Sequence, residues 1–271
     1  MKHIIVLPIL FFLLGTAYAQ NISQGNIPAV VLNSFQLRSP NNKDAKWKLD
    51  DGNYHVDFKV NNKPNRLILD YKGNILKHIQ DLYVSEIPNV VLETVKAKVT
   101  FFDVHDADRL EEKGSVVYQI NFKISGKKYF FLINDKGKLL KFTKELNNSE
   151  IPANIAGLIK ARYGTLDFDY SKYIEEGTKK IYIIKGEIAD NKHYFVFNDK
   201  AALLKHKQDL KNSEIPVPII NSAISAYAGF VINKAELLEE GGKASYELRL
   251  RKSKENVRVV FDQNGKILEV K

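Results

Sequence analysis

Cysteine is absent from all 271 residues. No disulfide can staple the chain, no thiolate can serve as nucleophile, and no lipid-bearing cysteine follows the N-terminal apolar stretch. Stability must come from burial. Long apolar runs are missing too: beyond Leu14 nothing approaches the roughly 18 consecutive apolar residues of a membrane-spanning helix. Basic residues outnumber acidic ones, 41 to 32, for a formal net charge of +9, but they are dispersed as Lys pairs. Such a spread reads first as a solvated basic surface, and second as contact with an anionic envelope component, a lipid phosphate or acidic glycan. It offers nucleic acid no concentrated stripe. Gly-rich phosphate loops, Gly-x-Ser-x-Gly and His-Glu-x-x-His are all lacking. The expectation is therefore a protein that is not an enzyme and needs no cofactor or metal.

What is present begins with an export signal. Lys2 supplies a short positive region, Ile4 to Leu14 an apolar stretch interrupted at Pro8, and Ala17-Tyr18-Ala19 a small-x-small cleavage pattern. Residues 1–19 read as a secretory signal peptide. The chain is then exported to the periplasm or beyond, and is not a lipoprotein. Removal of Lys2 takes the net charge from +9 to +8.

The remainder repeats itself. Ser-Glu-Ile-Pro occurs at residues 85, 149 and 213, two steps of 64, and Asn26-Ile27-Pro28 lies one step of 60 before the first. A fixed period of this length marks tandem supersecondary units. The expected units are 20–84, 85–148, 149–212 and 213–271. After each Ile-Pro, apolar residues recur at helical spacing: Val91, Leu92, Val95 and Val99; Ile155, Leu158 and Ile159, with Arg162 on the same stripe; Ile220, Ala223, Ile224 and Tyr227. Proline at a helix start costs little, because its missing N–H has no partner there. Three or four strands follow. Tyr118 to Ile124 alternates strictly, as a half-buried antiparallel strand does. Its counterparts start at Tyr54 and Tyr246, while the third copy is apolar on both faces around Ile181–Ile184. An apolar strand, a turn at Asp70, Asp135, Asp199 or Asp262, and a last strand complete each unit.

The fold class is thus α+β, with helices packed on antiparallel sheets in four helix-plus-meander repeats. One unit of about 62 residues buries only roughly 60% of its unfolded surface, so neighbours must stack. Four residues before the turn aspartates stand Arg66, Phe131, Phe195 and Arg258, charged at the ends and aromatic in the middle. That pattern fits one contiguous array, or two lobes of two repeats joined near Asn148.

Tyr54, Val56, Phe58, Leu67, Leu69, Asp70, Gly73, Ile75 and Leu76 spell Tyr-x-Val-x-Phe, an apolar strand, then Asp-x-x-Gly-x-Ile-Leu. This hairpin, with the preceding Ile-Pro helix and signal peptide, resembles PepSY-like, beta-lactamase-inhibitor-protein-like (BLIP-like) secreted proteins of Bacteroidetes type. The resemblance covers essentially all of the chain after residue 19. It implies a helix on an antiparallel sheet, in tandem, and a non-catalytic role as a binding or inhibitory protein. The target would be a protein or peptide; a lactamase does not follow, since fold does not fix function.

Adjacent carboxylates at Asp50-Asp51, Glu111-Glu112, Glu175-Glu176 and Glu239-Glu240 recur before Gly52, Gly114, Gly177 and Gly241. Neighbours on a strand point to opposite faces, so no pair can grip one bond, and a place beside a hairpin turn is the favoured reading. Asp103-Val104-His105-Asp106 and Asp167-Phe168-Asp169 lack the spacing of a metal site and read as solvated loops. His78 and His206 each follow a Lys at one repeat position. For surface recognition the candidates are Phe131 and Phe195, then Trp47 between Lys46 and Lys48, then Tyr170 and Tyr173. The competing reading places Phe131, Phe195 and Trp47 in the core. Mass spectrometry of the exported protein should find its N-terminus at Gln20; a chain retaining Met1 would refute the signal-peptide reading.

Overall fold

A computed structural model describes residues 20–40, 42 and 44–271; the signal-peptide segment 1–19 lies outside the described residues. The described residues form two compact units, those up to Pro88 with Asp106–Tyr118, and Asn89–His105 with Gln119–Lys271. The division falls within residues 89–118, not near Asn148 as two lobes of two repeats would require.

In the first unit, β1 (Gln20–Ile22) precedes α1 (Ala29–Arg38) and strands β2 (Lys46–Asp50), β3 (Asn53–Val60), β4 (Lys63–Leu69), β5 (Ile75–Asp81) and β6 (Asp106–Glu112). Each strand pairs antiparallel with the next, from β1 to β6. The chain changes unit within β7 (Ser115–Ile124). The second unit holds α2 (Asn89–Lys96), β8 (Lys127–Asn134) and β9 (Leu139–Glu145). After these come α3 (Ala153–Arg162), β10 (Asp167–Glu176), β11 (Lys179–Ile188), β12 (Asn191–Asn198) and β13 (Leu203–Leu210). The chain ends with α4 (Val217–Ala226), β14 (Val231–Glu240), β15 (Lys243–Lys252), β16 (Glu255–Asp262) and β17 (Ile267–Val270). Pairing is again antiparallel and sequential from β8 to β17. The architecture is α+β with antiparallel sheets.

The Ile-Pro signal is a built helix start. Ile27, Ile87, Ile151 and Ile215 are buried. Pro28, Pro152 and Pro216 sit at the N-cap, where each proline carbonyl accepts the first helical N–H. The preceding Glu works on the other side of the isoleucine. Glu86, Glu150 and Glu214 accept the backbone N–H of Tyr83, Asn147 and Lys211 at 2.7, 2.8 and 2.8 Å, closing a 3-10 turn ahead of the second, third and fourth helices. Helices of eight to ten residues do not persist alone in water. Each is held by two buried side chains four residues apart: Val31 and Phe35, Val91 and Val95, Ile155 and Ile159, Ile219 and Ala223. Full burial of such a side chain contributes about 2 kcal/mol. The stripe is narrower than the periodicity predicts. Leu158 and Ile224 face solvent, and α4 buries Ile219 where Ile220 was expected.

The hairpin turns carry a second correction. Asp70 Oδ1 accepts the N–H groups of Lys72 and Asn74, and Asp262 Oδ1 those of Asn264 and Lys266. In the middle hairpins the acceptors are Asn134 and Asn198, one residue before the aspartates chosen from the sequence. Asp135 and Asp199 are exposed. The equivalents of Arg66 and Arg258 are therefore Phe130 and Tyr194. Phe131 and Phe195 align instead with Leu67 and Val259, and all four are 0% exposed.

The turn glycines dock against helices. A Cβ on Gly73 (φ +80) would lie 2.7 Å from the Val30 carbonyl oxygen of α1, and one on Gly265 (φ +86) 2.6 Å from that of Pro218. The third hairpin places Ala201 at φ 59, and its methyl packs on the α3 core cluster. Gly73→Ala should cost about 2 kcal/mol or more through left-handed strain plus this contact, read as a lower urea midpoint. An unchanged midpoint would show that the turn is not seated on α1.

Candidate functional site

Strand alternation gives each sheet a helix side and a helix-free side. The helix side takes most of the sequence-predicted binding residues. Phe131 and Phe195 are fully buried, and Trp47 is 3% exposed, edge-on to Phe35 at 5.2 Å between centroids. These three are core, because their positions in β8, β12 and β2 face the helices. Tyr173 is half-buried on the same side, between Phe142 and Tyr182, with its hydroxyl donating to Glu175 at 3.1 Å. Burial, then that carboxylate, raises its phenol above the ordinary tyrosine range.

Tyr170 lies on the helix-free side. A β-bulge between Phe168 and Tyr170 sets it opposite Lys185 of β11, while Ser171 faces Ile184 in the core. Lys185 in turn stands opposite Tyr194 of β12. Its Nζ lies 5.8 Å from the Tyr170 ring centroid and 5.6 Å from that of Tyr194. One ammonium is thus held by two rings, each contact worth about 0.5–1 kcal/mol at an exposed site. Tyr194 escaped the sequence reading because the turn was indexed on Asp199; indexing on Asn198 would have aligned it with Arg66 and Arg258.

Lys185 and Tyr194 border a cavity of about 420 Å³, with Lys192, Lys207 and Lys234 and the carboxylates Asp169, Asp209 and Glu236 around it. Lys234 bridges Glu236 at 3.1 Å and Asp209 at 3.2 Å. Burial would raise the Glu236 carboxyl, but the Lys234 hydrogen bond and the charges of Lys207, Lys234 and Arg249 hold it below its usual value. Asp209 and Glu236 serve as ion-pair partners, which suits recognition better than proton transfer. Asp169 of the predicted Asp-Phe-Asp loop lies in β10 and borders this cavity; His105 borders another of about 410 Å³ with Phe122 and Tyr129. Among the described residues, no group of three His, Asp or Glu stands close enough to hold a metal ion.

The paired glutamates do more than flank turns. The first of each pair meets a basic residue at or just beyond the end of a helix, not the helix nearest before it in the chain but the one before that: Arg38 of α1 with Glu111 at 3.8 Å, Lys98 beyond α2 with Glu175 at 2.8 Å, and Arg162 of α3 with Glu239. The second meets a lysine on the adjoining strand: Lys77–Glu112 at 3.5 Å, Lys141–Glu176 at 3.1 Å and Lys205–Glu240 at 3.3 Å. Asp50-Asp51 differs, since Asp51 sits in the β2–β3 turn at φ 47.

No family model matches this chain, and neither does any curated protein. Among solved structures it is similar to a DUF2874 family protein of Bacteroides ovatus, at 21% identity over 46% of this chain and 91% of that one, with a TM-score of 0.37. It is similar to a DUF2874 family protein of Bacteroides uniformis at 18% identity, covering 42% and 87%, TM-score 0.37. It is also similar to a BLIP-like protein of Bacteroides fragilis at 20% identity, covering 42% and 82%, TM-score 0.36. The resemblance to BLIP-like proteins of Bacteroidetes type, expected from the hairpin motif, is thus met among solved structures.

The two members of a glutamate pair should differ in weight. Glu175→Gln, at a side chain 16% exposed with Lys98 and Tyr173 as donors, should cost about 1–3 kcal/mol in urea unfolding. Glu176→Gln, 59% exposed, should change stability by less than about 0.5 kcal/mol. Equal losses would refute this division of roles.

Proposed function

We propose that this chain is an exported, non-catalytic binding protein that engages a protein or peptide partner through the helix-free side of its strands. Segments 20–84, 85–148, 149–212 and 213–271 are its building units, and residues 1–19 are removed on export. The partner class includes a secreted or periplasmic enzyme that is inhibited when covered.

The observation that carries this reading is the Tyr170–Lys185–Tyr194 clamp beside a cavity of about 420 Å³. Flat aromatic rings give large contact area at low entropy cost, and an ammonium already held by them is positioned for a carboxylate on the partner. A rim of lysines around aromatic anchors is the composition of a recognition surface. A second reading, binding of an anionic lipid or glycan, draws on a neighbouring depression of about 430 Å³ where Lys128, Lys141 and Lys172 surround Phe130.

With residues 20–271 as bait against envelope extract, Tyr194→Ala and Lys185→Glu should each weaken capture of the partner about thirtyfold or more, with urea midpoints unchanged. Unaltered capture by both variants would refute the clamp. Capture that collapses between 50 and 500 mM salt, and is indifferent to Tyr194→Ala, would establish the distributed-charge reading instead.

A further inference from the structure

One pair of facing positions recurs along the chain and is filled three ways. His78, Phe142 and His206 are 64 residues apart on β5, β9 and β13, and diagonally across the adjoining strand stand Asn65, Tyr129 and His193. His78 Nε2 lies 3.0 Å from Asn65 Oδ1, and Tyr129 and Phe142 make a ring contact at 6.4 Å. At the third site two imidazoles meet: His193 Nδ1 lies 3.0 Å from His206 Nε2, the rings stacked within 15°. His206 Nδ1 continues to Glu239 Oε2 at 2.6 Å. The hydroxyl of Tyr163, just beyond the end of α3, donates to the same oxygen at 2.8 Å, and Arg162 donates to Oε1. His206 is 0% exposed and His193 5%.

The proton inventory of this chain is full. An ionised Glu239 can only accept, so the His206 Nδ1 carries hydrogen and its Nε2 is the acceptor for His193 Nδ1–H. Both imidazoles are then neutral. One added proton can be held beside the carboxylate. A second sets two N–H groups against each other across 3.0 Å, with both charges out of water.

We propose that His193–His206–Glu239 is an acid-sensitive latch. Neutral imidazoles tie β14 to β13 and to the end of α3, and double protonation breaks the chain and loosens β14 locally. His193 also lines the cavity beside the proposed clamp, with its imidazole buried among the core residues.

The charged groups around the pair agree with this. Burial, then the neighbouring His206, drives His193 down to about 4, against the opposing pull of Glu214 and Asp209. Burial also lowers His206, against the hydrogen bond and charge of Glu239 and with the help of Arg162. The opened state takes up protons near pH 6.5, where the closed state does not. Falling pH therefore favours opening, up to about tenfold per pH unit for each histidine. Closure is complete above the ordinary histidine range and is lost toward pH 4. Glu239 is affected in the same sense: burial opposes ionisation, but bonds from His206 and Tyr163 hold its carboxyl low, so acid erodes that contribution too.

Native-state amide exchange from pH 7.5 to 4.5, corrected for intrinsic rates, tests the latch. Amides of β13 and β14 should open at least tenfold more per pH unit below about 6.5, while β8 and β9, joined by Tyr129 and Phe142, change little. His193→Tyr with His206→Phe, which copies that junction, should flatten the response. Should the double variant fail to fold, His193→Asn, which copies Asn65, should cut the slope by about half. Equal responses in both strand pairs, imidazoles that titrate near 6.5 with β14 still protected, or a full slope in His193→Asn would each overturn the proposal.

Discussion

Two adjacent glutamates at the end of a strand hold this structure in register. Because strand neighbours point to opposite sides, Glu175 reaches Lys98 beyond the end of α2 while Glu176 reaches Lys141 on β9. Glu239 and Glu240 do the same with Arg162 and Lys205, as do Glu111 and Glu112 with Arg38 and Lys77. A basic residue at a helix C-terminus also meets the negative end of the helix dipole. Exposed pairs of this kind are worth little singly. Their value lies in direction: a slip of one residue would exchange the two carboxylates and leave both without partners. Such a lock suits a chain with no disulfide.

The same alternation separates core from surface within each strand. In β12, His193, Phe195 and Phe197 are buried, while Lys192, Tyr194 and Val196 point the other way. Phe195 and Tyr194 are thus adjacent in sequence and opposite in role. The helices are short and depend on two buried side chains each, so within each unit the strands carry the fold and the helices cover one side of them. The candidate site forms on the side left uncovered, where a bulge at Phe168/Tyr170 turns one ring toward Lys185.

Much of this was legible in the sequence. The Ile-Pro period located every helix start, and alternation at Tyr118–Ile124 located the strand that buries Tyr118, Ile120 and Phe122. What failed had physical causes. Asn and Asp offer the same side-chain oxygen to two backbone N–H groups, so a search for aspartate skipped Asn134 and Asn198 and shifted the middle hairpins by one residue. That shift nominated two core phenylalanines and hid Tyr194. In α4, the apolar Val217, Ile219 and Ile220 left the helical phase open, and the sequence reading chose the wrong member. The glutamate pairs were visible, but their partners lie up to 77 residues away and only the folded chain joins them.

A polypeptide in which similar motifs recur invites folding errors, since β5 could pair with β8 as readily as with β4 if only shape were matched. The position shared by His78, Phe142 and His206 removes that degeneracy. One junction is sealed by an amide and an imidazole, the next by two phenyl-type rings, the last by two imidazoles and a carboxylate. An imidazole set against a phenyl ring loses its hydrogen bond in a dry interior. Each seam therefore has its own key, and a misassembled chain carries a penalty that the correctly threaded one avoids.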